Sequence, residues 1–325
     1  MVPPEFFPIA YFRGNFVPFA KAQLSIATHG LHYGTAALGG LRVYPLAAEP
    51  GTVAFFRLDR HCQRLSDSAR FLHYDLCPQA LANTLVDLVR RNQIQQPGYV
   101  RPLVYTSELG IAPRLHDLEK DLAIYAMALD DYLPTHGVRC RFSSWCRQED
   151  RAMPLRGKLT AAYLTSSLAK TEAHQSGFDE AILLTANGKV SEGSASNLFL
   201  VRRGQLITPS IDQDNLEGIT RDTVLQLAQD LGIPTVERTV DKSELLIADE
   251  AFLTGTAAKI TAITAIEGYT LPSHRPMTEQ LQQQLTRVMT GQEARYRHWL
   301  TPVAVVDAPS AESGMPSTKT RAVTP

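Results

Sequence analysis

The stretch EGSASNLFLVRRGQLITPSIDQDNLEGITR, residues 192–221, is the most informative part of the sequence. Apolar runs flank Arg203-Gly204, which predicts a β-hairpin because the residues of a tight hairpin turn need positive φ. Gly218 precedes an amphipathic run with Thr220 as its expected N-cap, which predicts a helix. The start of a helix offers free backbone N–H groups and the positive end of a dipole, so we expect an anion site there.

A second hairpin is predicted directly upstream. The run AILLTANGKVSEG at 181–193 has two apolar segments around Asn187-Gly188, a dipeptide that is typical of short hairpin turns. Glu192 follows the second of these strands. Its carboxylate is therefore expected at the end of a strand, close to the loop that leads into the next hairpin.

Lys158 lies in RGKLTAAYLTSS, residues 156–167, among small and apolar residues and shortly before Tyr163. Burial or a neighbouring cation would lower the pKa of this lysine and make its amine nucleophilic. Lys170, in the middle of the helix predicted over 160–174, is expected to face solvent instead. Lys158 is therefore the candidate catalytic amine.

The composition predicts a soluble, cytoplasmic protein. The 325 residues are 44% apolar and 20% charged, and the net charge of −1 favours neither nucleic acid nor an anionic membrane. The N-terminal residues lack the apolar core of a signal peptide, and no run approaches the ~20 apolar residues of a membrane span. The four cysteines show no C-x-x-C spacing, so we expect reduced thiols.

The length suits two domains, and breakers at Pro134 and Gly137 suggest where they join. We expect a small N-terminal domain over 1–131, an interdomain linker over 132–137 and a large cofactor-binding domain over 138–300. Residues 301–325 are rich in Pro, Ser and Ala, which predicts a flexible tail.

Several common catalytic motifs are missing from the sequence. It has no G-x-x-x-x-G-K-[ST] phosphate loop and no H-E-x-x-H zinc motif, and GSASN at 193–197 lacks the final glycine of a nucleophile elbow. His29 and His32 have no nearby pair of carboxylates, so we favour a structural role for them over a metal site.

The remaining candidates suit a pyridoxal 5'-phosphate cofactor. This cofactor needs an amine for a Schiff base, a carboxylate for its pyridine nitrogen, donors for its phosphate and a partner for its ring oxygen. Lys158 could supply the amine, Glu192 the carboxylate and the helix start at 218–220 the phosphate donors. Each element alone is a weak signal, and their conjunction is a strong one.

The spacing within this part of the chain resembles the signature of the class IV pyridoxal phosphate aminotransferases. The matching elements follow the family's order: Glu192, Asn197-Leu198-Phe199, Leu206-Ile207-Thr208 and Leu216-Glu217-Gly218-Ile219-Thr220-Arg221. The resemblance extends over roughly residues 10–290 and is closest to the branched-chain amino acid aminotransferases. THGLHYGTAALGGLRVY, RLDRHCQRL, YVRPLVY and LTGTAAKIT resemble the substrate loop, phosphate segment, pocket strand and phosphate turn of these enzymes.

The resemblance implies an α/β (α+β) two-domain fold of fold-type IV, with a small N-terminal α/β domain and a larger C-terminal pseudo-barrel domain, in a homodimer. It implies ping-pong transamination between branched-chain L-amino acids and 2-oxoglutarate, with Lys158 as the Schiff-base lysine. The implied cofactor-binding residues are Arg64, Lys158, Tyr163, Glu192, Leu216, Gly218, Ile219, Thr220 and Thr256. The implied substrate-binding residues are Tyr33, Leu38, Tyr99, Arg101, Leu129, Tyr132, Gly255, Thr256 and Ala257.

Two departures from the family pattern concern the substrate pocket. Leu38-Gly39-Gly40 replaces the usual Phe-Glu-Gly, and Leu129 stands where bacterial members often have tryptophan. D-amino acid transaminase, aminodeoxychorismate lyase and amine transaminase share the signature and remain alternatives, as does a non-catalytic scaffold of the same fold. Arg101 is expected to meet a substrate carboxylate at the end of an apolar pocket, and its alternative is a structural ion pair with a neighbouring acid.

Overall fold

Two β-sheets with helices packed against them form the protein, as described by a computed structural model for residues 5–129 and 136–305. The strands are β1 Ile9–Phe12, β2 Asn15–Pro18, β3 Ala36–Leu38, β4 Leu41–Pro45, β5 Thr52–Phe56, β6 Gly98–Thr106, β7 Lys120–Ala128, β8 Val138–Cys146, β9 Glu180–Leu184, β10 Val190–Gly193, β11 Asn197–Arg202, β12 Gln205–Thr208, β13 Thr235–Glu237, β14 Glu250–Gly255, β15 Lys259–Ile266, β16 Tyr269–Thr270 and β17 Leu300–Ala304. The helices are α1 His29–Tyr33, α2 Leu58–Arg70, α3 Pro78–Arg91, α4 Tyr163–Gln175, α5 Ile219–Asp230, α6 Lys242–Leu246 and α7 Pro276–Met289. This mixed architecture confirms the predicted fold class.

The first sheet has the strand order β17-β5-β4-β6-β7-β1-β2, and β3 pairs with the other part of β6. Helices α2 and α3 cover it, because their leucines recur at helical spacing and form one apolar stripe. Leu65, Leu85 and Leu88 are buried in one core cluster with Val43 and Phe55 of the sheet. This packing fixes the direction of α2, which carries Arg64 towards the second sheet.

The last strand of the first sheet corrects the predicted tail. Residues 301–304 belong to β17, which pairs antiparallel with β5 at the edge of the sheet. Pro302 is compatible with an edge strand, and Val303 is fully buried against the core. Composition alone concealed this short strand because a few apolar residues within a polar segment are enough to form it. Residues 306–325 of the predicted tail, and 132–135 of the predicted linker, lie outside the described residues.

The second sheet has the order β10-β9-β8-β15-β14-β11-β12-β13, with β16 beside β15. Its β11–β12 hairpin turns at Arg203-Gly204, where both residues have positive φ, as predicted. The β9–β10 hairpin is also confirmed, but Gly188 alone has positive φ in its turn. Thr185 and Lys189 close this longer connection by a hydrogen bond between their backbones.

The two sheets share a core that holds them together. Phe199 and Phe252 of the second sheet stack with ring centres 5.1 Å apart, and Tyr44 and Phe56 of the first sheet belong to the same buried cluster. Helices α5 and α7 complete this cluster. The shared core places the start of α5 opposite α2, and the main cleft opens between them.

Candidate active site

Lys158 lies in the segment that crosses from β8 to α4 beside the first sheet. Its backbone N–H donates to Ser68 Oγ at 3.0 Å, and its carbonyl accepts from the Leu38 N–H at 3.0 Å. Burial, followed by the positive charge of Arg64, lowers the pKa of the amine to about 7. Its Nζ lies 5.4 Å from the ring centre of Tyr163. A large fraction of Lys158 is therefore neutral and nucleophilic near pH 7, whereas an ordinary lysine is protonated.

Glu192 is a buried carboxylate surrounded by donors. Arg147 Nη2 lies 2.7 Å from Glu192 Oε1, and only 7% of either side chain is exposed. Asn197 Nδ2 and the Leu216 N–H donate to Glu192 Oε2 at 3.0 and 3.3 Å. Burial raises the pKa of Glu192, and the Arg147 cation is the largest influence opposing this rise. Arg147, which is itself held by its Nε donating to the Asp214 carbonyl at 3.1 Å, was not predicted from the sequence.

The opposite end of the cleft can hold an anion. Burial lowers the pKa of Arg64 to about 10, so it remains a cation at neutral pH. Helix α5 begins at Ile219 with Gly218 as its N-cap, so the prediction of Thr220 as the N-cap is wrong. A Cβ on Gly218 would lie 1.8 Å from the amide oxygen of Asn197, and this close approach requires glycine. Thr220 instead lies in the first turn, where its N–H faces the helix start.

Two hydroxyl groups suggest that the cleft binds a polar ligand. Ser196 Oγ and Thr254 Oγ1 are buried, and neither has a hydrogen-bond partner within residues 5–129 and 136–305. Both residues line the cleft. Because buried hydroxyls without partners are uncommon in folded proteins, these groups are candidates for contacts with a bound molecule.

The cleft wall formed by the first sheet combines apolar side chains with one cation. Leu38, Met127 and Leu129 line it together with Tyr99 and Arg101. Arg101 Nε and Nη2 donate to the Tyr99 hydroxyl at 3.1 and 2.6 Å. Among the described residues, no acidic side chain forms an ion pair with Arg101, so the alternative of a structural ion pair has no support in this part of the chain.

Most of the predicted site residues meet in one cavity of about 580 Å3. The predicted residues that line it are Leu38, Arg64, Tyr99, Arg101, Leu129, Lys158, Tyr163, Glu192, Leu216, Gly218, Ile219, Thr220, Gly255, Thr256 and Ala257. The sequence therefore identified residues from separate segments that the fold brings together. Tyr132 lies outside the described residues.

Tyr33 is the predicted pocket residue that this cavity does not include. It is half-buried on α1, and its hydroxyl donates to the Ile111 carbonyl. The neighbouring His29 bridges Thr35 Oγ1 and the Ala112 carbonyl, each at 2.9 Å, which agrees with its predicted structural role. These contacts hold α1 against the loop after β6, away from the cleft of its own chain.

Lys170 matches its prediction only in part. Its side chain is 35% exposed, but its Nζ donates to Glu180 Oε2 at 2.7 Å and to the Asp179 carbonyl at 2.6 Å, and it lines the cavity. Ser194 Oγ donates to Glu180 Oε1 at 2.6 Å. The charge of buried Glu180 therefore anchors both Lys170 and the loop that follows Glu192. Helical periodicity could not reveal this pairing because Glu180 comes from a neighbouring strand.

Comparisons with known proteins identify relatives along most of the chain. The chain is 58% identical to a probable branched-chain-amino-acid aminotransferase of Synechocystis sp., over 91% of this chain and 97% of that protein. A crystal structure of the branched-chain aminotransferase from Thermoproteus uzoniensis with norvaline matches with a TM-score of 0.88 and 39% identity, over 91% of this chain and 99% of that one. The structure of the branched-chain amino acid aminotransferase from Thermobaculum terrenum in its PLP-form (holo-form) matches with a TM-score of 0.86 and 35% identity. The match covers 92% of this chain and 99% of that one.

The described helices include none that is long and apolar enough to cross a membrane. The family model for class IV amino-transferases matches residues 41–266, which contain Lys158, Glu192 and the start of α5. This match and the relatives agree with the signature at 192–221 and with the grouping of its residues around one cavity. The protein belongs to the class IV aminotransferase family.

Proposed function

We propose that this protein is a pyridoxal phosphate-dependent aminotransferase that exchanges amino groups between branched-chain L-amino acids and 2-oxoglutarate. One observation carries the proposal. The Lys158 amine, with a pKa of about 7, shares a cavity with the buried Glu192 carboxylate and the anion-binding start of α5. The names of the relatives add support, since several are branched-chain aminotransferases and one of their structures is a PLP-form.

The donors and charges of the cavity fit pyridoxal phosphate. When bound, this cofactor supplies an electron-withdrawing ring that stabilises negative charge on the α-carbon of the amino acid. The hydroxyls of Ser196 and Thr254 offer further donors beside it. The proposed binding residues are Arg64, Ile219, Thr220 and Thr256 for the phosphate, Glu192 for the pyridine nitrogen, Tyr163 for the ring oxygen, and Lys158, Leu216 and Gly218 around the ring.

Lys158 would supply the amine that holds the cofactor, and as a free amine it would move the proton of the α-carbon. An amine whose pKa lies near 7 occurs in both protonation states near neutral pH, so it can accept this proton and return it. Glu192 holds a proton on the pyridine nitrogen, which requires the carboxylate to stay ionised in spite of its burial. Arg147 provides the positive charge that keeps it ionised.

The substrate end of the cleft suits both half-reactions. Leu38, Met127 and Leu129 offer apolar contacts to a branched side chain. The side-chain carboxylate of glutamate or 2-oxoglutarate instead needs a cation, and Arg101 can pair with it through its planar guanidinium. Because Arg101 binds the Tyr99 hydroxyl and no acid of the described chain, its charge is available to a substrate. Gly255, Thr256 and Ala257 are proposed to hold the α-carboxylate common to all substrates.

A panel of amino donors tests the proposed function. Recombinant protein incubated with pyridoxal phosphate should develop visible absorbance and transfer the amino group of leucine, isoleucine and valine to 2-oxoglutarate. D-alanine and primary amines without a carboxylate should react poorly. A preference for either would assign the chain to D-amino acid transaminases or amine transaminases. Absence of visible absorbance would favour a scaffold without chemistry.

We further propose that the protein forms a homodimer through an apolar loop surface, defined as Ile26, Leu31, Leu109 and Ile111. These side chains are 85%, 66%, 57% and 84% exposed. Single exposed apolar side chains are ordinary, whereas a group of them marks an interaction surface. Tyr33, which binds the Ile111 carbonyl, would then approach the partner's cleft. The resemblance implied a homodimer.

The oligomeric state of matched variants tests this surface. Ile26→Glu combined with Ile111→Glu should shift the mass in solution, measured by light scattering, from dimer to monomer. Ile247→Glu is the control, since Ile247 is 61% exposed but lies beside α6, outside the apolar loop surface. A double variant that remains dimeric would contradict the proposal.

We propose a cytoplasmic location for the enzyme. Cys62, Cys77, Cys140 and Cys146 are all free thiols, as expected for a reducing compartment. Localisation of a tagged chain by cell fractionation tests this, and recovery from an oxidising compartment would contradict it.

A further inference from the structure

Arg57 occupies an unusual position at the junction of the two sheets. It is the N-cap of α2 and has left-handed backbone angles, φ 54° and ψ 42°, which are rare for residues other than glycine. Its side chain is nonetheless buried, with about 7% exposed. Arg64, on the same helix, lies two turns further along and lines the anion end of the cleft.

The guanidinium of Arg57 crosses to the first turn of α5. Its Nη2 lies 2.8 Å from Asp222 Oδ2, and its Nη1 donates to Thr223 Oγ1 at 3.3 Å. Thr223 Oγ1 in turn donates to the Ile219 carbonyl at 2.8 Å. The Arg57 side chain therefore contacts the turn of helix whose free N–H groups form the anion end of the cleft.

The guanidinium of Arg57 also contacts Trp299. Its central carbon lies 4.6 Å from the ring centre of Trp299, and the Arg57 backbone N–H donates to the Trp299 carbonyl at 2.8 Å. A cation over an indole ring is held both by attraction and by packing. These contacts hold the side chain so that both terminal nitrogens of the guanidinium, Nη1 and Nη2, reach α5.

These contacts matter because the anion end of the cleft is assembled from two halves. Arg64 comes with α2 from the first sheet, whereas the N–H groups of Ile219 and Thr220 come with α5 from the second. Arg64 itself reaches across through Nη1, which donates to the Glu217 carbonyl at 3.2 Å. Arg57 is a buried, charged link between the same two helices.

The charge of Arg57 has a second effect on the anion end. Asp222 lies in the first turn of α5, where an acid favours the helix but repels an anion bound at the helix start. Pairing with Arg57 compensates this negative charge. The pair therefore keeps the acid that begins the helix while leaving the helix start attractive to an anion.

We propose that Arg57 is a positioning residue for phosphate: it aligns Arg64 with the start of α5 and neutralises Asp222. The inference rests on the proposed function insofar as the anion end of the cleft takes the phosphate group of pyridoxal phosphate. It predicts that Arg57 contributes to binding of the phosphate group and not of the ring. A residue that only stabilised the fold would affect both parts of the cofactor equally.

Binding of two ligands separates these roles. The dissociation constants of the apoprotein for pyridoxal phosphate and for pyridoxal, which lacks the phosphate, are measured by absorbance titration for wild type, R57M, R57K and R60M. Arg60 is exposed on the same helix, so R60M removes the same charge without touching α5. R57M loses the charge-assisted contact to the first turn of α5, so it should weaken the binding of pyridoxal phosphate about tenfold or more through misalignment of the phosphate site. It should change the binding of pyridoxal less than about twofold. R57K should lie between R57M and wild type, and R60M should match wild type.

The outcomes distinguish this inference from the proposed function. If wild type binds both ligands equally, the phosphate site itself is wrong and both ideas fail. A second outcome is that wild type binds pyridoxal phosphate more tightly than pyridoxal while R57M keeps the same ratio of dissociation constants, either because neither constant changes or because both rise equally. In that case Arg57 does not position the phosphate site. Should R57M fail to fold, R57K is judged by the same ratio of dissociation constants, and an unchanged ratio in R57K would overturn the inference.

Discussion

Replacing Arg147 with methionine removes the cation that counteracts the effect of burial on the pKa of Glu192. Their side chains meet at 2.7 Å with 7% of each exposed, so solvent screens the pair very little. In R147M the charge of Arg147 no longer lowers the pKa of Glu192, so burial raises this pKa further than in wild type. More of Glu192 is then protonated at neutral pH. A protonated carboxyl donates a hydrogen bond where an acceptor is needed, so it cannot hold a proton on the pyridine nitrogen.

The size of the defect follows from the contact that is lost. A hydrogen bond to a charged group contributes ~1.5–3 kcal/mol, and ~1.4 kcal/mol corresponds to tenfold. We therefore expect kcat with leucine to fall about tenfold to a hundredfold near pH 7. The defect should shrink as the pH rises, because Glu192 ionises again above its raised pKa.

The stability of the apoprotein should respond to pH in the opposite direction. A carboxyl whose pKa is higher in the folded chain than in the unfolded chain binds extra protons when folded. Stability that depends on this proton is present at low pH and is lost as the pH rises from the ordinary glutamate value of about 4.3 through the folded value. The midpoint temperature of R147M should therefore fall relative to wild type as the pH rises above the ordinary glutamate value.

Two measurements check this reasoning. The first is the ratio of wild-type to R147M kcat across pH, which removes the titration of Lys158 because both proteins contain it. The second is the melting temperature of both apoproteins across the same range. R147K keeps the cation and should behave nearly as wild type, and R139M removes an exposed arginine from β8, the strand that ends directly before Arg147. A kcat ratio close to one, or one that does not change with pH, would refute the role of Arg147.

Three further predictions concern other parts of the chain. Lys158→Ala should abolish transamination, and borohydride reduction of the wild-type holoenzyme should label Lys158 in a peptide map; a label on Lys170 would contradict the assignment. Arg101→Leu should lower kcat/KM about tenfold to a hundredfold for glutamate and 2-oxoglutarate with little effect on leucine, and equal losses would make Arg101 structural. A chain ending at residue 305 should melt as the full chain does, whereas a chain ending at 299 lacks β17 and should melt at least about 5 °C lower by calorimetry.

The parts of the fold that the sequence predicted are those encoded by adjacent residues. Arg203 and Gly204 form a turn between two strands that are adjacent in sequence and pair with each other, so the hairpin is encoded locally, and the second sheet contains it. The candidate site was predictable for a different reason. Fixed spacing around Glu192 and Gly218 reflects a loop that must bring a carboxylate and a helix start to the same ligand, so the pattern survives in one continuous stretch.

The features that the sequence did not predict depend on contacts between distant segments. Arg147 meets Glu192 only because β8 and β10 flank β9 in the second sheet. Lys170 was expected in solvent, but α4 packs on that sheet and its lysine reaches Glu180. Tyr33 was expected in the cleft, yet α1 is held against another loop. No local pattern specifies such pairings, because each depends on the order of strands.

The pairing of β17 with β5 has a consequence for how the chain folds during synthesis. The two strands lie far apart in the described chain, with β5 ending at Phe56 and β17 beginning at Leu300. At ~5–20 residues per second, β17 leaves the ribosome on the order of ten to fifty seconds after β5. During that interval the outer edge of β5 has no strand to pair with, and an unpaired apolar edge can recruit the same strand of another nascent chain. The first sheet thus combines strands that are made early with a strand that is made much later, so aggregation during expression should be most sensitive to changes in β17 and β5.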